Sequence, residues 1–285
     1  MPAIRIVTDS ACDLPDATAA EHNIDIVPLT IRFGDTEFVD RSDLTVKEFW
    51  AKTKESKALP ETAAPSPGAF EETFRAAAAQ GASGVVCVCL SSELSATFQS
   101  AQLAAEAVKD NIDVRVIDSR NVTIAQGLLA IAGAEASAAG KSIDEVAAAI
   151  GAKVPHMHVL AALDTLENLR KGGRIGAARA ALGSMLSVKP LIKVIDGAVS
   201  EAGKQRTRAR SLDLLVELGK EHGADKAKPL AVMHGDAPDI DAFLEKLCAA
   251  YGRARDELLL GDVGSVVGTH AGPGVIGLAW EEAGS

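Results

Sequence analysis

Gly84-Val-Val-Cys-Val-Cys-Leu-Ser-Ser-Glu-Leu-Ser-Ala-Thr-Phe-Gln-Ser-Ala101 decides the fold class of this chain. The β-branched run at 85–90 reads as a buried strand, and the stretch from about residue 95 to 110 reads as an alanine-rich helix. Strand, polar turn and helix in that order form half of a βαβ unit. The same texture extends outward on both sides. Further strands are expected near 4–8, 24–33 and 114–118, and helices near 17–22, 45–56, 67–80 and 124–139. Thr45 with Glu48 and Ser142 with Glu145 have capping-box spacing, and Ser66-Pro67 places an N-cap before a proline at the first helical position. Alternation of this kind argues for a mostly parallel sheet covered on both faces.

Near Pro155 the pattern changes. A strand at 158–163 precedes helices around 164–171 and 175–185. Leu191-Ile-Lys-Val-Ile-Asp-Gly-Ala-Val-Ser200 then places Asp196-Gly197 at a tight hairpin turn. Helices near 209–222 and 240–251 flank a strand at 230–233, and a glycine-rich segment closes the chain. A hairpin combined with crossovers indicates a second, mixed α/β domain.

The 285 residues suffice for two domains, and 47% hydrophobic with 24% charged residues places the chain in the globular class. A formal net charge of −10 has the wrong sign for a phosphate backbone, and two Trp, one Tyr and seven Phe offer little base-stacking surface. Nucleic-acid binding is therefore excluded. No apolar run approaches the roughly twenty residues that span a bilayer, so no stable membrane insertion is expected. The opening Met-Pro-Ala-Ile-Arg-Ile-Val reads as a strand and not as a signal peptide, so a cytoplasmic location is expected. Cys87 and Cys89 fall on one face of the buried strand as small apolar residues, with no nearby pair to complete a zinc site.

Ligands in open α/β sheets gather outside the carboxyl ends of the strands. Here those ends are polar: Thr8-Asp9-Ser10, Ser91-Ser92 and Asp118-Ser119-Arg120. Each alone reads as a helix cap; three on one edge argue for a crevice. Ser91 and Ser92 precede a helix N-terminus suited to a carboxylate or phosphate, and Thr62 adds a hydroxyl from a loop before the Ser66 cap. His270 lies in Gly268-Thr-His-Ala-Gly-Pro-Gly274, read as a flexible-backbone loop where close approach to a ligand is possible. Arg170, Arg174, Arg206 and Arg208 belong to two basic clusters that would ordinarily be a solvated face. Gly140-Lys141-Ser142 lacks the glycine a P-loop needs at Glu135, and Gly272-Pro-Gly274-Val-Ile-Gly277 lies too near the end of the sequence for a dinucleotide unit. Ser265 lacks the glycines of a nucleophile elbow, and His156 with His158 lacks a third ligand. No metal or organic cofactor is called for.

Taken together, the chain resembles the DegV family of bacterial fatty-acid-binding proteins. The likeness rests on Thr8-Asp-Ser-Ala-Cys-Asp-Leu14, the segment from Leu90 to Ala101, and Asp118-Ser-Arg120. It continues in Leu166-Glu-Asn-Leu-Arg-Lys-Gly-Gly-Arg-Ile-Gly176, Val188-Lys-Pro190, Gly203-Lys-Gln-Arg-Thr-Arg208 and Gly268 to Gly274. The resemblance implies an α/β fold with an N-terminal Rossmann-like parallel sheet over 1–157 and a C-terminal mixed α/β sandwich over 158–285. One long-chain fatty acid, such as palmitate or oleate, would lie between them. Thr62, Ser91, Ser92, Arg170 and His270 stand at the positions that would hold its carboxylate, and Ser92 is favoured over Ser91. The resemblance also implies a carrier that is not itself an enzyme. It would present the acid to a separate ATP-dependent fatty acid kinase, which makes acyl phosphate for phospholipid synthesis. Arg174, Arg206 and Arg208 are then expected to form the docking face. The runner-up reading is an acyl hydrolase or transferase acting through Ser92 and His270. Two departures from the family pattern, Thr62-Ala-Ala-Pro-Ser66 and Ser95-Ala-Thr-Phe98, remove polar groups beside the expected head group.

Overall fold

Strands β1 (Ile4–Asp9) and β2 (Ile24–Val27) are joined through helix α1 (Asp16–Glu21). The computed structural model describes residues 4–56, 58–178, 188–227 and 229–282. The single strand expected at 24–33 is broken at Pro28-Leu29. Proline cannot donate to a ladder, and the chain leaves the sheet to form β3 (Thr30–Phe33), β4 (Thr36–Val39) and, after α2 (Val46–Glu55), β5 (Glu61–Ala63). These three make a small antiparallel sheet in the order β4-β3-β5. Next come α3 (Pro67–Ala79), β6 (Gly84–Cys89), α4 (Thr97–Val108), β7 (Val114–Asp118), α5 (Ile124–Ala138) and α6 (Ile143–Lys153). The order β2-β1-β6-β7 is parallel throughout, and β6 is buried along its whole length. Both expected capping boxes and the Ser66 cap form.

The second sheet draws on β8 (Met157–Ala162), β9 (Lys189–Ile195), β10 (Ala198–Gln205), β11 (Leu230–His234), β12 (Leu258–Asp262) and β13 (Ile276–Glu281). Helices α7 (Glu167–Lys171), α8 (Arg208–Glu221), α9 (Ile240–Tyr251) and α10 (Ser265–Ala271) connect them. The order is β10-β9-β8-β13-β11-β12, parallel only between β11 and β12. The architecture is therefore α/β, with one parallel sheet and one mixed sheet. The Asp196-Gly197 turn forms as expected, both residues at positive φ (49° and 83°), the geometry a two-residue hairpin requires. The glycine-rich closing segment differs from expectation: it contributes α10 and the interior strand β13, whose Ile276 to Trp280 are buried between β8 and β11. The helix expected at 175–185 falls largely on residues 179–187, outside the described residues.

Helix α5 positions everything else. Its buried residues extend around most of its circumference, and it packs on β1 and β6 of one sheet and on β8, β11 and β13 of the other. A helix apolar on all sides belongs inside a core, and one hydrophobic cluster accordingly runs from Ile6 and Val88 through Leu129 to Val159 and Ala279. Thr123 starts α5 at φ +57°, a costly conformation for a β-branched residue. It is held there by its N–H on the Ala11 carbonyl (2.8 Å) and its hydroxyl on Asp13 (2.6 Å).

Candidate functional site

A narrow cavity lies between the sheets, about 860 Å³ counted out to solvent. The mixed sheet supplies one wall through Val159, Ala161, Ile192, Val194 and Met233. Leu90, Leu94 and Val122 supply the other, closed by Val266 and Val267 of α10. A concave site with such walls and few polar groups suits a mostly apolar small molecule.

The polar groups gather at one end. Thr62 Oγ1 is 3.0 Å from His270 Nε2, joining residues 208 apart in sequence. Thr62 is not in a loop, as expected, but on β5, paired with Ile31 of β3. His270 likewise is not in a flexible loop; it sits in the last turn of α10, so its ring is aimed by a helix. Gly172 presses against that ring, and a Cβ there would stand 2.3 Å from His270 Nδ1. Nδ1 is buried and has no hydrogen-bond partner. Burial, and then the charge of Arg174, push the imidazole down to about 4, so the ring is neutral at pH 7.

Arg174 completes the corner. The Gly172-Gly173 pair ends α7 with the Arg174 N–H returning to the Leu169 carbonyl (2.9 Å) and Gly173 at φ +72°, a Schellman-type stop. This reversal turns Arg174 back toward the cavity, where Nε donates to the Leu94 carbonyl (2.9 Å) and a terminal nitrogen donates to the Gly172 carbonyl (2.8 Å). Arg170, one turn earlier, is exposed and does not line the cavity, whereas Arg174, expected on the docking face, does. Ser95 also lines the cavity, its hydroxyl 2.8 Å from that of Thr97. Beyond the corner lies a polar outer cavity of about 720 Å³, which Thr62, Arg174 and His270 share with Glu61, Asn168 and Lys171. The hydroxyl, imidazole and guanidinium thus stand between apolar and polar compartments, the arrangement an amphiphilic anion requires.

The serine pair is placed elsewhere. Helix α4 begins at Thr97, not Ser95, so Ser91 and Ser92 stand a turn ahead of it. Ser91 is buried and donates to the Gly197 carbonyl (2.7 Å), fastening the β9-β10 hairpin to the parallel sheet. Ser92 is exposed and donates to Asp118 Oδ2 (2.6 Å). Neither lines the cavity, and Ser92 with His270 forms no nucleophile–imidazole pair, which removes the geometric basis of the hydrolase reading. Arg208 is held bidentate by Asp239 (2.9 and 3.0 Å), while Arg206 is exposed. His158 stacks on Trp280 (5.1 Å between centroids). Among the described residues no group of His, Cys, Asp or Glu could hold a metal ion, and no helix is long and apolar enough to cross a membrane.

Sequence reasoning did not single out Ser95 and expected Arg174 on a docking face, and both line the cavity. The usable signal was the Gly-Gly pair, which reverses the chain and separates the direction of residue 174 from that of 170.

Three comparisons bear on this geometry. The DegV family model, described as "Uncharacterised protein, DegV family", matches residues 3–283. A DegV domain-containing protein of Streptomyces coelicolor is 35% identical over 281 residues, covering 96% of this chain and 97% of the relative. Among solved structures, a DegV family protein from Thermus thermophilus, described for its fatty acid binding, is 30% identical with a TM-score of 0.87, covering 98% of this chain and 99% of that one. A stearic acid-binding protein from Eubacterium ventriosum is 27% identical with a TM-score of 0.87, covering 98% of each chain.

Proposed function

We propose a fatty-acid-binding role for this chain, which belongs to the DegV family. The observation that carries it is the apolar cavity ending on Thr62, His270 and Arg174, with a buried imidazole nitrogen still lacking a partner. The acyl chain occupies the cavity. The carboxylate sits at the polar corner, where the Thr62 hydroxyl, the neutral His270 ring and the Arg174 guanidinium converge, with Ser95 close by. The solved relatives described as binding fatty acid and stearic acid support the same ligand class. Burying about fourteen methylenes at ~0.8 kcal/mol each gives a gross gain on the order of 11 kcal/mol, before the costs of association. The protein is therefore expected to co-purify with close to one fatty acid per chain. Mass spectrometry under native and then denaturing conditions checks this. Protein that is empty and also takes up neither palmitate nor oleate sinks the reading.

The finer reading rests on the family resemblance and on the outer cavity. The carboxylate, at the boundary between compartments, is presented to a separate ATP-dependent kinase chain that forms the acyl phosphate used in phospholipid synthesis. Lys171 and Arg174 flank that boundary, where they offset the negative charge gained in the transfer. Since Arg174 faces inward and Arg208 is paired, the docking face falls to the exposed Arg170 and Arg206. Rim charges of this kind govern mainly the rate of encounter. Replacing both by Glu should spare palmitate binding and slow acyl-phosphate formation by the partner kinase; an unchanged rate across a salt series would show a plain solvated face.

A further inference from the structure

The far end of the cavity is built differently from its polar corner. Strands β8 and β9 pair only at Leu160 with Lys193, Ala161 with Ile192 and Ala162 with Leu191. Continuing that register would join Val159 to Val194 and His158 to Ile195, but the ladder stops. Beyond this point β9 stays with β10, Val194 opposite Val199, while β8 stays with β13, Val159 opposite Ala279. The sheet therefore forks, and at the fork two valine side chains replace a continuous backbone wall.

A second cavity, about 1100 Å³ counted out to solvent, lies on the other side of the fork. Val159, Lys193 and Val194 line both this cleft and the inner cavity, so the partition between the two is one residue layer thick. Its remaining walls are mixed: Pro155 and the exposed Ile195 stand beside Arg120, His158 and Asp196, Met157 and Trp280 are almost wholly buried, and Gly151 of α6 lies at its rim. The direction of the ligand follows from topology. The carboxyl end of β8 runs through α7 to Gly172, which packs on His270. Val159 lies three residues back along β8 from Ala162, roughly 10 Å farther from the polar corner.

We infer that the forked edge between β8 and β9 is an outlet for the methyl end of the ligand, and that the cleft around Pro155 and Ile195 receives chains too long for the inner cavity. The inference rests on the fatty-acid reading above and adds a substrate class to it: very-long-chain acids of about twenty to twenty-four carbons, admitted alongside palmitate and stearate. A closed tunnel sets a length limit, because each methylene forced to remain in water forgoes roughly fourfold in affinity. An outlet that turns aside two valine side chains, with Val154, Pro155 and Ile195 beyond it to cover part of the emerging chain, relaxes that limit.

Gly151 supplies the means to test it. A Cβ at this position meets nothing within 4 Å, so α6 accommodates a larger side chain here, at the rim of the cleft. Equilibrium binding of the sixteen-, eighteen-, twenty-two- and twenty-four-carbon saturated acids is measured on the full chain and on Gly151→Phe, with Gly151→Ala as the folding control. The wild type is expected to bind the two longest acids at least as tightly as stearate. Gly151→Phe is expected to weaken them tenfold or more while palmitate stays within twofold. Tight palmitate binding with a hundredfold loss at twenty-two carbons in the wild type overturns the outlet and leaves the carrier reading standing. Equal affinity of Gly151→Phe for all four acids also overturns it. Failure of every acid to bind overturns both readings.

Discussion

The polar strand ends of the parallel sheet and the corner formed by β5, α7 and α10 hold similar residue types, yet their bonding is opposite. On the strand ends, Asp9 accepts from the N–H groups of Ala11 (3.0 Å) and Leu90 (2.8 Å), Ser10 from that of Leu29, and Asp13 from the Thr123 hydroxyl and the Gly264 N–H. Ser91 and Ser92 are equally committed, to Gly197 and Asp118. At the corner, His270 Nδ1 is buried without a partner, and three polar groups face an apolar cavity. Polar residues at a sheet edge mark a ligand site only where their bonding is incomplete; a closed network is structure. The two regions should accordingly fail in different assays.

The largest effect is expected from Asp9→Ala. It leaves two buried backbone donors without an acceptor at ~1–3 kcal/mol each, so stability should fall by about 2–5 kcal/mol. Palmitate affinity of the folded protein should stay within about threefold. Denaturant unfolding paired with ligand titration tests both halves, and a variant that stays stable but no longer binds would make this edge the ligand site after all.

Asp13 extends the contrast to pH. Burial pushes its carboxyl up to about 7, against an ordinary value of 3.8. A raised pKa contributes stability that is fully present below about 4 and lost as pH rises through 7. Asp13→Asn keeps an acceptor for Gly264 and a partner for Thr123 but does not ionise. Its stability relative to wild type should therefore climb between pH 4 and 8, by roughly 2–4 kcal/mol at most. His270 carries the opposite sign: its imidazole, pushed down to about 4, contributes stability that is present above 6.5 and lost as pH falls through 4. A flat difference between Asp13→Asn and wild type over that range would mean Asp13 is solvated as an ordinary carboxylate.

At the corner the sensitivities reverse. Thr62→Ala and His270→Ala should each weaken fatty-acid binding by ~1–3 kcal/mol, about five- to a hundredfold, because the bonded pair supplies one donor to the carboxylate and each deletion removes either that donor or the partner that orients it. Stability should hardly change for His270→Ala, which removes a buried nitrogen that already lacks a partner. Binding isotherms beside thermal unfolding separate the two, and wild-type affinity in both variants would move the head group elsewhere.

How far these regions could be told apart in the sequence depends on the range of the interactions. Strand–helix alternation, three caps and the Asp196-Gly197 turn are local, and all are present in the structure. β13 was not legible, because Ile276-Gly-Leu-Ala-Trp280 has little β-branched character and its strand conformation depends on β8 and β11 on either side. The Thr62–His270 contact depends on packing between segments 208 residues apart. That Arg174 and not Arg170 lines the cavity turns on one helix stop.

The smallest effect belongs to the serine that sequence reasoning favoured over Ser91 for the head group. Ser92 is exposed, and its hydroxyl shares Asp118 with the N–H groups of Ser92 and Arg120. Removing the hydroxyl leaves the carboxylate two backbone donors and water, so Ser92→Ala should change stability by no more than about 0.5 kcal/mol, as exposed substitutions usually do. Palmitate binding should not change, since Ser92 does not line the cavity. Ser95→Ala is the matched control: the same deletion three residues on, at a side chain that does line the cavity, should cost a measurable few-fold in affinity. Should Ser92→Ala weaken binding more than Ser95→Ala, the carboxylate would lie on the strand-end serines, and the contrast between closed and open polar clusters would fail where it was most needed.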